Sequence, residues 1–142
     1  ERVWFVDLNP HNRAFVQARA AELGLGAKLS CYRDMADPAL PGRFDTIVCL
    51  DVLEHLSRSD NGKNLFIFYM NELYRVLKPS GTALFVFPAF PYKDAFSDPT
   101  HVNFITDETV NFFINKSRDS SYEGIETNYS LIKNQKLACI ER

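Results

Sequence analysis

Short apolar runs that end on a polar or acidic residue and feed a helix constrain this chain most. Val3–Val6 is continuously apolar and runs into Asp7-Leu8-Asn9-Pro10. Phe44-Asp45-Thr46-Ile47-Val48-Cys49-Leu50 runs into Asp51, and Thr82–Phe87 into Pro88. Such runs are expected of parallel strands covered on both faces. Between them lie helical patterns. Asn9 offers an N-cap and Pro10 an N1 residue, so a helix should pass through Ala14, Phe15, Ala18 and Ala21 and stop near Gly24. Ala27–Tyr32 reads as a second strand and Val52–Leu56 as a short helical stretch. A longer helix is predicted from about Asn61 to Leu77, with Leu65, Tyr69, Leu73 and Val76 on one face and Lys78-Pro79-Ser80-Gly81 as breakers. Pro88–Pro99 reads as a long aromatic loop, and Thr106 as the cap of a helix whose Val110, Phe113 and Ile114 share a face. From Ile125 to Leu131 large or β-branched residues alternate with polar ones. A turn at Lys133-Asn134-Gln135 then leads to Leu137–Ile140, an antiparallel pair appended to a parallel sheet. The fold class is therefore α/β: a doubly wound, mostly parallel sheet ending in an antiparallel hairpin.

The bulk numbers exclude several function classes. The 142 residues are one domain's length. A net charge of −2 gives no electrostatic footprint for nucleic acid or an anionic membrane. No apolar run approaches the ~20 residues that span a bilayer. Cys31, Cys49 and Cys139 fit neither a zinc pattern nor a closed disulfide framework, and read as free thiols of a reducing cytoplasm.

In open α/β sheets ligands bind at the carboxyl ends of the strands, so the residues just after each strand are the candidate site. Asp7 follows the first. It can accept from both hydroxyls of a ribose, or it can cap the helix behind it. Asp34, after the second, can accept from an exocyclic amine such as adenine N6, or be a solvated loop residue. After the third come Asp51, Glu54 and His55, spaced so that one helical turn clusters them. His55 can act as a general base or as a structural imidazole. A metal site of Asp51, Glu54 and His55 lacks further ligands, and none is expected.

The stretches VWFVDLNP, CYRDMAD, FDTIVCLDVLEHL and LYRVLKPSGTALFVFP, in this order and spacing, resemble the class I S-adenosylmethionine-dependent methyltransferases. The resemblance runs from about Val3 to Phe113. Its most specific part is the VLEHL segment followed by a helix ending in VLKPSG. DPTHVNFIT, from Asp98, is similar to a substrate-side segment of bacterial small-molecule methyltransferases. The tail hairpin separates the fold from nicotinamide-binding Rossmann domains, a less favoured reading.

The resemblance implies S-adenosylmethionine as cofactor and a small-molecule acceptor, with no nucleic-acid or membrane partner. It implies that Asp7 binds the ribose hydroxyls and Leu8 lies against the adenine. Asp34 and Met35 would meet the adenine edge. Leu50 would lie beside the methionine moiety, with Asp51 to His55 facing the methyl group and acceptor. His101 joins His55 as a candidate base or acceptor-orienting group. The aromatic loop from Phe87 to Phe96 would help cover a small acceptor. The chain departs from the family in lacking its first strand and glycine-rich loop: the six glycines, at 24, 26, 42, 62, 81 and 124, form no such motif. Residues 1–142 are accordingly expected to be a single, N-terminally truncated methyltransferase-like domain, inactive or incomplete as this chain. The missing strand is the family's central one, so Val3–Val6 and Thr46–Leu50 would each lose a partner. Either these edges close on each other or a swapped strand fills the gap in a homodimer. The alternative function is a non-catalytic remnant or interaction module.

Overall fold

A computed structural model describes residues 1–35, 37, 39–40, 42–114, 124–127 and 129–130. Strand β1 (Val3–Val6) pairs in parallel with β2 (Leu29–Tyr32), in register from Val3 opposite Leu29 to Val6 opposite Tyr32. Helix α1 (Pro10–Glu22) connects them. Its N-terminus forms as the residues dictate: the Asn9 side chain accepts from the His11 N–H, and Pro10 occupies the first turn. Gly24, at φ 68°, turns the chain out of the helix, where a side chain would be strained.

Strand β3 (Phe44–Leu50) pairs in parallel with β4 (Leu77–Val86), and α2 (Leu65–Val76) connects them. Helix α2 begins later than the sequence predicts. Asn61 (φ 49°) and Gly62 (φ 78°) make a tight turn that brings Asp60 and Lys63 together as an antiparallel bridge. Asn64 then caps the helix by accepting from the Ile67 N–H. Its buried stripe is Phe66, Met70, Leu73 and Val76, one position round from the predicted Leu65 and Tyr69, which are half-buried. Lys78-Pro79-Ser80-Gly81 does end the helix. It lies inside β4 as an irregularity: Phe44 faces Leu77 but Thr46 faces Thr82, with Ser80 at φ 64° absorbing the extra residues. A Cβ at Gly81 would meet the Lys78 carbonyl oxygen at 2.9 Å, so only glycine fits that close approach.

The loop after β4 contains a single-turn helix, α3 (Asp94–Ser97). Thr106 caps α4 (Asp107–Asn111) through a reciprocal bond with Thr109. The core joins Cys49, Leu53, Phe66, Met70, Ile105 and Phe113, with Phe85, Val110, Ile125 and Tyr129 packed against it. Each fully buried side chain of this size contributes about 1.5–3 kcal/mol of transfer free energy. The segment near 127 is pinned there: Thr127 Oγ1 donates to the Phe113 carbonyl, and Asn71 accepts from the Glu126 N–H. Ile125 and Thr127 turn inward and Glu126 outward, as the alternation predicts, and Tyr129 bridges Ile114 in parallel. The rest of the predicted hairpin, with Cys139, lies outside the described residues.

Two expectations are corrected. The described strands form two separate two-stranded parallel sheets, and β1 and β3 do not close on each other. Aromatic bulk bridges them instead, with Trp4 and Phe44 ring centroids 5.2 Å apart. Nor do the described residues cover the β3–β4 sheet on both faces. Cys49 points into the core, whereas Val48, Leu50 and Leu84 are each more than half exposed on the other face.

Candidate functional site

Because β1 and β2 are parallel and in register, Asp7 and Asp34 leave the same end of one sheet. Asp51 and Phe87 do so on the other. Asp7 is held by its neighbours. Its N–H donates to the Tyr32 carbonyl, its Oδ1 accepts from the Asn9 N–H at 2.7 Å, and its Oδ2 accepts from Asn12 Nδ2 at 2.9 Å. Arg13 donates to the Asp7 carbonyl. The carboxylate thus organises the entry to α1, the capping role weighed from the sequence. Each oxygen keeps a further lone pair. Leu8 beside it is 63% exposed, an apolar surface held in the open at a strand end. Asp34 and Met35 are half-buried, and Arg33 Nε lies 4.0 Å from Asp34 Oδ2. Asp51 takes a left-handed backbone (φ 49°), its N–H donating to the Val86 carbonyl at 2.9 Å. Strain at a non-glycine residue just past a strand is characteristic of functional turns.

The predicted helical stretch after Asp51 is a single 3-10 turn, Leu53–His55, that buries Leu53 and Glu54 and exposes His55. It is clamped to the segment from Asp98 to Phe104. The Val102 and Asn103 N–H groups both donate to the Glu54 carbonyl, at 2.8 and 3.1 Å. Asn103 Nδ2 donates to the Leu53 and Leu56 carbonyls at 2.9 and 2.6 Å. Arg58 Nε closes the clamp on the Val102 carbonyl. The result brings His55 and His101, 46 positions apart in sequence, to a ring-centroid distance of 4.8 Å at 67°.

Both imidazoles have defined tautomers. The Thr100 hydroxyl donates to Asp98 Oδ1 at 2.6 Å, so its bond to His55 Nδ1 at 3.0 Å requires a proton on that nitrogen. His101 Nδ1 lies 3.1 Å from the Ala95 carbonyl, an acceptor only, so it too carries the proton. In the neutral rings both Nε2 lone pairs are free. The Thr100 hydroxyl and N–H, the former foremost, hold the Asp98 carboxyl below its ordinary range, so it stays an acceptor at neutral pH. Glu54 is 1% exposed, and neither carboxylate oxygen has a hydrogen-bond partner among the described residues. Burial pushes its carboxyl up. Its own backbone amide opposes the rise, Asp51 adds to it, and the two imidazoles oppose it. Cys49, behind this turn, is pushed up to about 11, first by burial and then by Glu54 and Asp51, consistent with a packing thiol.

Asp51, His55 and His101 therefore line one end of an open trough along β4, together with Phe87, Tyr92 and Asp94. In the aromatic loop, Phe90 and Phe96 are about half exposed, and Phe96 stacks on Phe104 at 4.9 Å. Sequence reasoning missed Asn103, Thr100 and Asp98 as positioning residues, and named Glu54 only as part of the cluster with Asp51 and His55. The signal for the first three was the polar spacing of DPTHVN itself, which pairs with backbone carbonyls that no sequence pattern reveals.

A family model described as "Methyltransferase domain" matches residues 1–85, which is 85 of the 142 residues. No curated protein and no solved structure matches the chain. The group such a family uses is S-adenosylmethionine. Its adenosine half suits what stands at the ends of β1 and β2: a half-buried carboxylate with lone pairs to spare at Asp7 and an exposed apolar side chain at Leu8. Its methionine end finds no glycine-rich cradle in this sequence. The motifs after β1, β2 and β3 and the matching family model together place this chain in the class I S-adenosylmethionine-dependent methyltransferase family.

Proposed function

We propose that this domain provides the adenosine-binding and acceptor-facing parts of a methyl transfer from S-adenosylmethionine to a small molecule, and that it is incomplete for turnover as this chain. The observation that carries the reading is the juxtaposition of His55 and His101 beside Asp51, at the carboxyl end of a parallel pair that the family model matches up to residue 85. The cofactor, when bound, supplies the electrophilic methyl group. Asp7 accepts from the ribose hydroxyls, Leu8 and Met35 flank the adenine, and Asp34 accepts from its exocyclic amine. Leu50 and Asp51 line the side towards the methyl group. His55 and His101 orient the acceptor and, where it carries an O–H or N–H, receive its proton. The dry walls are apolar and aromatic, from Phe87 to Phe96.

Calorimetric titration tests this reading. S-adenosylhomocysteine and S-adenosylmethionine are expected to bind and NAD not to, with Asp7→Ala weakening the first two by about 10-fold or more, as loss of a charged acceptor does. Absence of binding by either sulfur ligand would favour the second reading, a non-catalytic methyltransferase-fold module. The local engagement of both Asp7 oxygens is the observation that supports that alternative.

We further propose that a second copy covers the edges of β1 and β3 that are unpaired among the described residues, and the face bearing Val48, Leu50 and Leu84. Long apolar edges left open pair with other chains. Sedimentation equilibrium should give twice the chain mass, and a monomer at all concentrations contradicts the pairing.

A further inference from the structure

We propose that Glu54, His55 and His101 form a binding site for a divalent first-row transition-metal cation, in which one carboxylate and two imidazoles are the protein ligands. One potential ligand atom from each residue lies within 4.8 Å of the others. That cluster alone would not distinguish a metal site from a hydrogen-bonded network of polar groups. The bonding pattern does. In a network the imidazoles would donate to the carboxylate. Here each neutral ring has its one N–H on Nδ1, directed to Thr100 or to Ala95, and the Glu54 carboxylate receives no hydrogen bond from another described residue.

A carboxylate 1% exposed with both oxygens unpartnered is costly, by several kcal/mol when ionised. A cation between it and two free Nε2 lone pairs satisfies all three groups at once. The Nδ1 bonds are also those that metal-bound histidines make to outer partners. The Asp98–Thr100–His55 chain and the His101–Ala95 carbonyl bond fix ring orientation and leave Nε2 as the ligand atom.

The donor set selects the metal class. Two nitrogens and one carboxylate suit Zn²⁺ and its first-row neighbours, whereas Mg²⁺ prefers an all-oxygen shell. With metal–ligand bonds of about 2.0–2.2 Å, tetrahedral ligands stand about 3.3 Å apart. The candidate ligand atoms lie within 4.8 Å of one another, and the contraction to metal-bound spacing falls to the exposed His55 ring, since Glu54 is buried and His101 is anchored in the loop. Three protein ligands leave a coordination position on the solvent side, where His55 opens onto the trough. This assignment revises one part of the methyl-transfer reading: with a cation bound, the Nε2 lone pairs of His55 and His101 are taken and the two rings hold the metal instead of receiving the acceptor's proton. Binding is measured with no cofactor present, so its failure is distinguishable from failure of that reading.

The test is titration of the metal-stripped full chain with Co²⁺, followed by its visible absorption, with Zn²⁺ then added as competitor. One Co²⁺ per chain, displaced by Zn²⁺, is expected. Glu54→Gln and His101→Gln should each weaken binding by about 10-fold or more, the scale of loss for a disturbed metal shell. His55→Gln, at an exposed ring where the fold has least at stake, should do the same with an unchanged far-ultraviolet circular dichroism spectrum. The exposed His11→Gln should leave binding intact. Absence of Co²⁺ absorption in the parent chain, or binding undiminished in folded His55→Gln, overturns the proposal.

Discussion

Replacing Ile105 with alanine is expected to lower the free energy of unfolding by about 2–5 kcal/mol, the range for deleting a buried branched side chain that leaves a cavity. Ile105 is 1% exposed and sits where three parts of the fold meet. It packs with Leu53 of the 3-10 turn, with Phe66 and Met70 of α2 and with Phe113 after α4. Its carbonyl accepts from the Phe90 N–H at 2.9 Å, and Ala89 bridges it in parallel, so the residue also anchors the loop that leaves β4. A domain of this size has about 5–15 kcal/mol to lose. Urea denaturation followed by circular dichroism should show the midpoint fall with little change in slope. A loss under about 1 kcal/mol would mean that this core is not packed as described.

The second large effect belongs to Asn103. Asn103→Ala removes the Nδ2 donor from the Leu53 and Leu56 carbonyls; the Leu53 carbonyl keeps the Leu56 N–H at 3.4 Å, the Leu56 carbonyl loses this bond, and the cost is about 1–3 kcal/mol. The consequence for the site should exceed the consequence for stability. Without the clamp the 3-10 turn is no longer fixed against the Asp98–Phe104 segment, and the His55–His101 geometry loosens. The urea midpoint checks the first effect. The second is read from the histidine ring resonances by NMR, where mutual ring-current shifts of His55 and His101 should collapse towards free-imidazole positions. Unchanged resonances with lowered stability would show that Asn103 supports the fold alone.

These two residues mark what the sequence could and could not yield. Strands β1 and β3 were legible to the residue because continuous apolar runs with turn residues after them have few other solutions. The start of α1 was legible because Asn9-Pro10 is a local signal. Helix α2 was read one position out of phase and several residues too long. The reason is that the Asn61-Gly62 turn, which needs φ > 0 at both positions, competes locally with the helical pattern. The separate sheets and the one-sided cover of β3–β4 were not legible, since burial of a strand's second face is decided by what lies across it. In the site, the carboxylates and histidines at strand ends were recognisable by type and place. Their bringing together was not: the two imidazoles meet only because Asn103 and the Val102 N–H hold a turn 47 to 50 residues upstream in contact with the loop, through backbone carbonyls that carry no sequence signature. The spacing predicts Asp51, Glu54 and His55 on one clustered face, whereas the 3-10 turn Leu53–His55 buries Glu54 and exposes His55, with Asp51 exposed just before it.

The central claim is that the strand ends of this family member hold the adenosine half of its cofactor. Its most direct test is the amide spectrum of the isotopically labelled chain titrated with S-adenosylhomocysteine. The predicted result is shifts at Asp7, Leu8, Asp34 and Met35 from the adenosine half and at Leu50 and Asp51 from the methionine side, with only their immediate neighbours moving besides. An unperturbed spectrum at millimolar ligand, or shifts elsewhere with these amides unmoved, would contradict the claim.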